Sequence, residues 1–359
     1  MPTWAELDRL VAKGYSLIVE NQAAGACKMN GPSIGKIRGL QQISTSDGIF
    51  TICAMDHRGS LQTMIEKDHP EQVEYEEMVE RKLELCAALA PYASAVLLDP
   101  NYGAAQCVAG GVLPGHTGLL VSIEATGYQS DPQGRVTTLL SGWSVEKIKR
   151  MGGSAVKILI YYRPDLAELA EKQLKTVQRV ADESRKHDLP FLVEPVAYAV
   201  KGQNVESAQF AAQKPSLVIE TARQITSLPI DVLKAEFPAN LKYETGKERL
   251  LELCQQLDEA SQVPWVILSA GVDYEAFRKQ VEIACQAGAS GFLGGRAIWQ
   301  EAIQLGDKKE RAKFLSTTVA DRFKELSDIA TKYGVPWYRK HGMDAHKIVA
   351  IPKGWYESY

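Results

Sequence analysis

The chain has 359 residues, 45% hydrophobic and 24% charged, enough for one large (β/α) barrel with extensions or for two ordinary domains. With 41 Lys and Arg against 44 Asp and Glu, the net charge is −3, and no basic run interleaved with aromatics offers a surface for nucleic acid. The apolar stretches are strand-sized, which argues against a membrane-spanning helix; the six scattered cysteines lack any C-x-x-C and the six histidines do not cluster, so free thiols in a cytoplasmic protein with no metal or cofactor are expected.

In chain order, residues 1–46 read as an N-terminal extension: an amphipathic helix over 3–12, unlike a signal peptide, then a loop rich in Gly, Ala, Ser and Pro over 22–35. A first strand at 50–55 ends in Asp56-His57-Arg58-Gly59, and a helix over 71–90 stops at Pro91. Strands follow at 95–98, ending in Asp99-Pro100, at 118–123, ending in Glu124, and at 155–161, which carries Lys157. A long helix over 164–186 precedes the strand at 191–193 and its Glu194; a helix over 207–225 is expected to break at Pro215. The strand Asp231-Val232-Leu233-Lys234-Ala235-Glu236-Phe237 is closed by Pro238. A helix over 247–260, a strand at 265–268 ending in Ser269-Ala270-Gly271, a helix capped by Asp273, and a strand at 290–293 ending in Gly294-Gly295-Arg296 complete the series.

Eight near-continuous apolar strands, mostly separated by helices, predict an α/β fold of the TIM (β/α)8 barrel type over residues 47–306. A doubly wound sheet would place a glycine-rich phosphate turn after the first strand, where this chain has Asp56-His57-Arg58-Gly59. Residues 307–359 form a C-terminal helix and an aromatic tail, read first as a packing strap or subunit contact and second as a lid carrying Tyr359 over the mouth.

Reactive residues gather at the C-terminal strand ends: Asp56, Asp99, Glu124, Lys157, Glu194, Lys234 and Ser269. That end is the mouth of a barrel's active site. Singly each has a structural alternative, such as a turn cap for Asp99, an ion pair with Arg58 for Asp56, or a buried Lys–Glu pair for Lys234 and Glu236, which alternation points the same way. Together, Lys157, Glu194 and Lys234 fall on consecutive strands and would all point inward. Two lysines and a carboxylate in a dry pocket suit Schiff-base chemistry: one ammonium favours the neutral, nucleophilic form of its neighbour, and the carboxylate shuttles protons. The small residues of Ser269-Ala270-Gly271 and Gly294-Gly295, with Arg296, suit a phosphate at the loops after strands seven and eight.

Segments spanning residues 50–300 carry a family resemblance. They include Ala54-Met55-Asp56-His57-Arg58-Gly59-Ser60-Leu61, Leu98-Asp99-Pro100-Asn101-Tyr102-Gly103, Glu124-Ala125-Thr126-Gly127-Tyr128 and Ala155-Val156-Lys157-Ile158-Leu159-Ile160-Tyr161-Tyr162. They continue with Pro190-Phe191-Leu192-Val193-Glu194, Asp231 to Pro238, Leu268-Ser269-Ala270-Gly271-Val272 and Gly294-Gly295-Arg296-Ala297-Ile298-Trp299. In these the chain resembles the class I tagatose-1,6-bisphosphate aldolase family, which also includes aldolases for sulfofructose phosphate.

The resemblance implies reversible, metal-independent cleavage of a phosphorylated ketose to dihydroxyacetone phosphate and an aldehyde. Lys234 matches the Schiff-base lysine, Lys157 the assisting lysine and Glu194 the acid/base; Ser269, Gly271, Gly295 and Arg296 match the phosphate-binding elements. Asp56, Arg58, Asp99 and Glu124 are further expected substrate contacts. His57 stands where family members often carry Gln, which bears on the sugar accepted more than on the chemistry. Another phosphosugar enzyme on the same barrel and a non-catalytic metabolite-sensing barrel remain alternatives, and nothing in the sequence fixes whether the chain forms a homo-oligomer.

Overall fold

The computed structural model describes residues 32–131, 134–343, 351, 354–357 and 359. The expected helix over 3–12 and most of the loop after it lie outside the described residues. Eight parallel strands close into a barrel: β1 (Phe50–Ala54), β2 (Ala95–Leu98), β3 (Gly118–Ser122), β6 (Ala155–Tyr161), β7 (Phe191–Val196), β8 (Val232–Ala235), β9 (Trp265–Leu268) and β10 (Gly291–Gly294), with β10 returning to pair β1. The two strands outside the barrel, β4 (Gln129–Asp131) and β5 (Gly134–Val136), form an antiparallel hairpin that the sequence reading did not anticipate.

Alternation along each strand divides the apolar residues between two cores. Outward-facing Val96, Val156, Ile158, Val193, Leu233 and Ile267 pack under the helix layer. Inward-facing Phe50, Ile52, Leu97, Leu120, Ala155, Leu192, Val232, Val266 and Leu293 fill the barrel's lower half. Because the side-chain period is two, the next inward positions above this floor are Lys157, Glu194 and Lys234, which the apolar pattern thereby delivers into the upper cavity.

The barrel floor is closed from below by helix α1 (Ile34–Ile43), within the segment read as a loop and extension. Ser33 caps it by accepting the Lys36 N–H, and its Ile37, Leu40 and Ile43 form one apolar stripe against the floor. Lys36 from this helix meets Asp231 at 2.7 Å. The tail also reaches this lower end, where the Tyr359 hydroxyl accepts the Gly35 N–H at 2.8 Å. The terminal tyrosine therefore stands opposite the mouth, as in the packing-strap reading and against the lid reading.

Helix α3 (Tyr75–Leu89) begins four residues later than its apolar pattern predicted, the intervening Pro70–Gln72 forming a 3-10 turn. Helix α7 (Ala208–Ile225) runs on through Pro215, so the expected break does not divide it. Pro215 removes one donor to the preceding turn, while Leu217, Val218, Ala222 and Ile225 beyond it are buried and hold the helix in place. None of the helices among the described residues is long and apolar enough to cross a membrane.

Candidate active site

A cleft of about 1000 Å³ opens at the C-terminal ends of the strands. Of the expected site residues, Asp56, Arg58, Glu124, Lys157, Glu194, Lys234, Ser269, Gly295 and Arg296 all line it.

Its centre is a chain of ion pairs. The Lys157 ammonium is 2.7 Å from Asp56, 2.7 Å from Glu124 and 3.0 Å from Glu194. Glu194 bridges the two lysines, with Oε2 toward Lys157 and Oε1 at 2.8 Å from Lys234. The register makes this contact: Val193 pairs with Leu233, so Glu194 and Lys234 are lateral neighbours on adjacent strands. Burial works against charge on Lys157, but Asp56, Glu124 and Glu194 overcome it and raise its pKa well above the ordinary lysine value. Burial likewise acts to raise Asp56, and Lys157, Lys234 and His57 outweigh it, leaving that carboxyl well below its usual range. The two lysines are thus unequal: among the described residues Lys157 is a fixed cation with three carboxylates around it, whereas Lys234 has a single carboxylate partner.

Arg58 donates to the Glu124 carbonyl at 2.9 Å and holds that strand end to the first. Glu236 shares the cleft with Lys234 but is not its partner; its Oε2 accepts the Ala197 N–H at 2.7 Å, and Oε1 faces Lys214 at 3.6 Å.

Asp99 is placed differently from expectation. It is fully buried and absent from the cleft lining, because its Oδ1 folds back to accept the N–H groups of Asn101 and Tyr102. Its carboxylate pairs with Lys82 at 2.8 Å, and the same Lys82 ammonium donates to the carbonyls of Met55 and His57. Asp99 is a support for the Asp56-His57 segment rather than a wall of the cleft. Lys82 was invisible in the sequence, lost in an ordinary amphipathic helix.

The turn after β9 has two successive left-handed residues, Ala270 (φ 48°) and Gly271 (φ 74°), closed by a bond from the Val272 N–H to the Ser269 carbonyl. A side chain on Gly271 would sit 3.2 Å from the Arg296 guanidinium, so glycine brings the two turns together. Gly295 is equally confined, since a Cβ there would come within 2.9 Å of the His57 ring. Arg296 opens helix α10 (Arg296–Ile303) and has no carboxylate within ion-pair distance among the described residues. A guanidinium without a carboxylate partner among the described residues, at a helix N-terminus beside a glycine turn, has the chemistry that suits an anion.

His57 packs edge-on against Trp299, with centroids 5.1 Å apart. Burial lowers its pKa to about 3; Asp56 pulls upward, and Arg296, Lys82 and Lys234 push down, so the ring is neutral. Tyr161 and Gln280 also line the cleft and were not foreseen, the first hidden in an aromatic pair and the second on a helix face.

A closed parallel eight-stranded barrel with lysines and carboxylates clustered at its mouth is the arrangement of class I aldolases. Residues 50–301 match the model of the DeoC/LacD family aldolases, and the chain belongs to that family. It is 35% identical over 339 residues to the tagatose 1,6-diphosphate aldolase of Listeria monocytogenes serotype 4a, covering 88% of this chain and 97% of that one. The Staphylococcus aureus (strain JH9) enzyme of the same name is 35% identical over 321 residues, covering 83% and 97%. Among solved structures, fructose-bisphosphate aldolase from Plasmodium falciparum shares the fold with a TM-score of 0.65 at 15% identity, over 86% of this chain and 99% of that one.

Proposed function

We propose that the protein is a Schiff-base aldolase that reversibly cleaves a phosphorylated ketose, with tagatose 1,6-bisphosphate the first substrate to test. The observation that carries this reading is Glu194 bridging Lys234 to a second lysine that three carboxylates keep charged. Lys234, once deprotonated, attacks the ketone at C2, and its nitrogen gains a bond to carbon as the carbonyl oxygen takes a proton. Loss of that oxygen as water leaves an iminium, with Glu194 placed to move the protons. Glu194 then takes the C4 hydroxyl proton, the C3–C4 bond breaks to an aldehyde, and its electron pair passes to the iminium as an enamine. Protonation at C3 and hydrolysis release dihydroxyacetone phosphate and restore Lys234.

Lys157 stays cationic throughout and provides a fixed donor for substrate oxygens as charge moves. The turn at Ser269–Gly271 and Arg296 receives the C1 phosphate. A coupled cleavage assay across tagatose 1,6-bisphosphate, fructose 1,6-bisphosphate, fructose 1-phosphate and sulfofructose phosphate tests the reading. Turnover of tagatose 1,6-bisphosphate without a partner protein is expected. Turnover of none of the four would contradict it.

A further inference from the structure

Protonation of the enamine at C3 needs a donor that faces the substrate and still holds its proton. Lys157 is committed to Asp56, Glu124 and Glu194, which raise its pKa well above the ordinary lysine value. Glu194 has both oxygens engaged by lysines, at 3.0 and 2.8 Å, and already takes the C4 hydroxyl proton. His57, with its pKa lowered to about 3, is neutral and packs against Trp299 beyond the end of the first strand. Ser60, Thr126 and Ser269 also line the cleft, but their alcohols are far weaker acids than a phenol. Tyr161 supplies the phenol of that wall among the described residues.

Tyr161 closes β6 on the same inward face as Lys157, with Leu159 between them. The register sets Leu159 opposite Glu194 and Tyr161 opposite Val196, so the tyrosine stands one inward step above the carboxylate, toward the mouth. Its backbone is tied on both sides: the N–H donates to Thr137 Oγ1 at 3.2 Å, and the carbonyl accepts the Gln173 side-chain amide at 3.1 Å. Tyr128 and Tyr198, which do not line the cleft, brace the ring edge-on at centroid distances of 5.0 and 6.2 Å. The Arg135 guanidinium, also outside the lining, lies 5.3 Å from the ring centre. The hydroxyl takes no part in this bracing, and among the described residues it makes no hydrogen bond.

Burial raises the hydroxyl's pKa above the ordinary tyrosine value; Arg135 works against that, Tyr128 and Glu194 add to it, and Lys157 works against it. The phenol therefore rests protonated, while the charges of Arg135 and Lys157 steady the negative charge that a departing proton leaves on its oxygen. We propose that Tyr161 is the catalytic residue that protonates the enamine at C3, a role distinct from that of Glu194 at the C4 hydroxyl. This rests on the aldolase reading above. The O–H proton passes to C3 as the enamine's carbon–carbon π pair forms the new C–H bond, and the nitrogen lone pair restores the iminium. The phenolate left behind regains a proton from water.

The test is Tyr161→Phe in the full-length protein, which removes the hydroxyl and leaves both backbone hydrogen bonds of the residue in place. Exchange of the C3 hydrogen of dihydroxyacetone phosphate with solvent deuterium is measured beside borohydride trapping with the same ketone and melting temperature. Exchange should fall roughly 10²- to 10⁴-fold, the range of a lost acid/base group, with trapping and melting temperature as in the wild type. During cleavage of tagatose 1,6-bisphosphate the unprotonated enamine should accumulate, so hexacyanoferrate(III), which oxidises it, intercepts a larger fraction of turnover than in the wild type. Exchange at the wild-type rate would overturn the proposal and make Glu194 the group that returns the proton. Exchange, trapping and melting temperature falling together would also overturn it, making the tyrosine a packing element. A wild type that dihydroxyacetone phosphate and borohydride leave unmodified would overturn the aldolase reading and the donor with it.

Discussion

At the scale of single residues, the site works by unequal treatment of similar groups. Two lysines share Glu194, yet among the described residues only Lys157 is locked by further carboxylates. Replacing Glu194 by Gln keeps the shape and removes the proton acceptor. Turnover should fall about 10²- to 10⁴-fold, while the adduct with dihydroxyacetone phosphate forms more slowly, because Glu194 also serves the dehydration, and is still reduced once formed. Unchanged rates of turnover and of adduct formation would remove Glu194 from the proton transfers, and a melting temperature lowered in step with turnover would make it a structural element. His57 gives a pH prediction. With its folded pKa lowered to about 3 from an unfolded value near 6.5, it is neutral in the fold and protonated in the unfolded chain between those limits. The unfolded state then binds more protons, so stability falls as pH drops below about 6.5. His57→Gln removes this penalty, so the variant's melting temperature relative to wild type should rise as pH falls from about 7 to about 4. A difference independent of pH would mean the ring does not titrate as described. The inward placement of the lysines and Glu194 was legible because strand alternation alone sends them there; Asp99 was expected as a substrate contact, and it is the turn cap offered as its alternative that the structure shows.

At the scale of elements, the strands and most helices could be read from apolar runs and periodicity. What escaped the reading has physical causes. The α1 stripe of Ile37, Leu40 and Ile43 is short and is diluted by a Gly- and Ser-rich neighbourhood. The hairpin over Gln129–Asp131 and Gly134–Val136 is polar and half-exposed, with no apolar alternation to betray it. Pro215 was given its intrinsic weight, and tertiary packing on both sides of it prevailed. Helix α3 contributes Lys82, whose ammonium ties the ends of β1 and β2 together through Met55, His57 and Asp99. Lys82→Met would leave Asp99 charged, buried and unpaired, at a cost of about 3–5 kcal/mol. Adding Asp99→Asn, which keeps the turn's acceptor and removes the charge, should recover part of it. Denaturant titration of the single and double variants checks this, and equal stabilities of Lys82→Met and wild type would contradict it.

At the scale of the whole molecule, the barrel divides labour between its ends. The lower half is apolar apart from the Lys36–Asp231 pair, is floored by α1 and receives Tyr359; the upper half carries the lysine–carboxylate cluster. Such a division lets the strands be rigid where they are hydrophobic and reactive where they end, which is why the fold itself could be read from the sequence while the tail's position could not. The central claim is that Lys234 is the nucleophile, and its most direct measurement is the mass of peptides after borohydride reduction in the presence of dihydroxyacetone phosphate. A reduced adduct on the peptide carrying Lys234, absent in Lys234→Ala together with turnover, is the predicted result. An adduct on Lys157 instead, or a Lys234→Ala variant that still cleaves its substrate, would contradict the account.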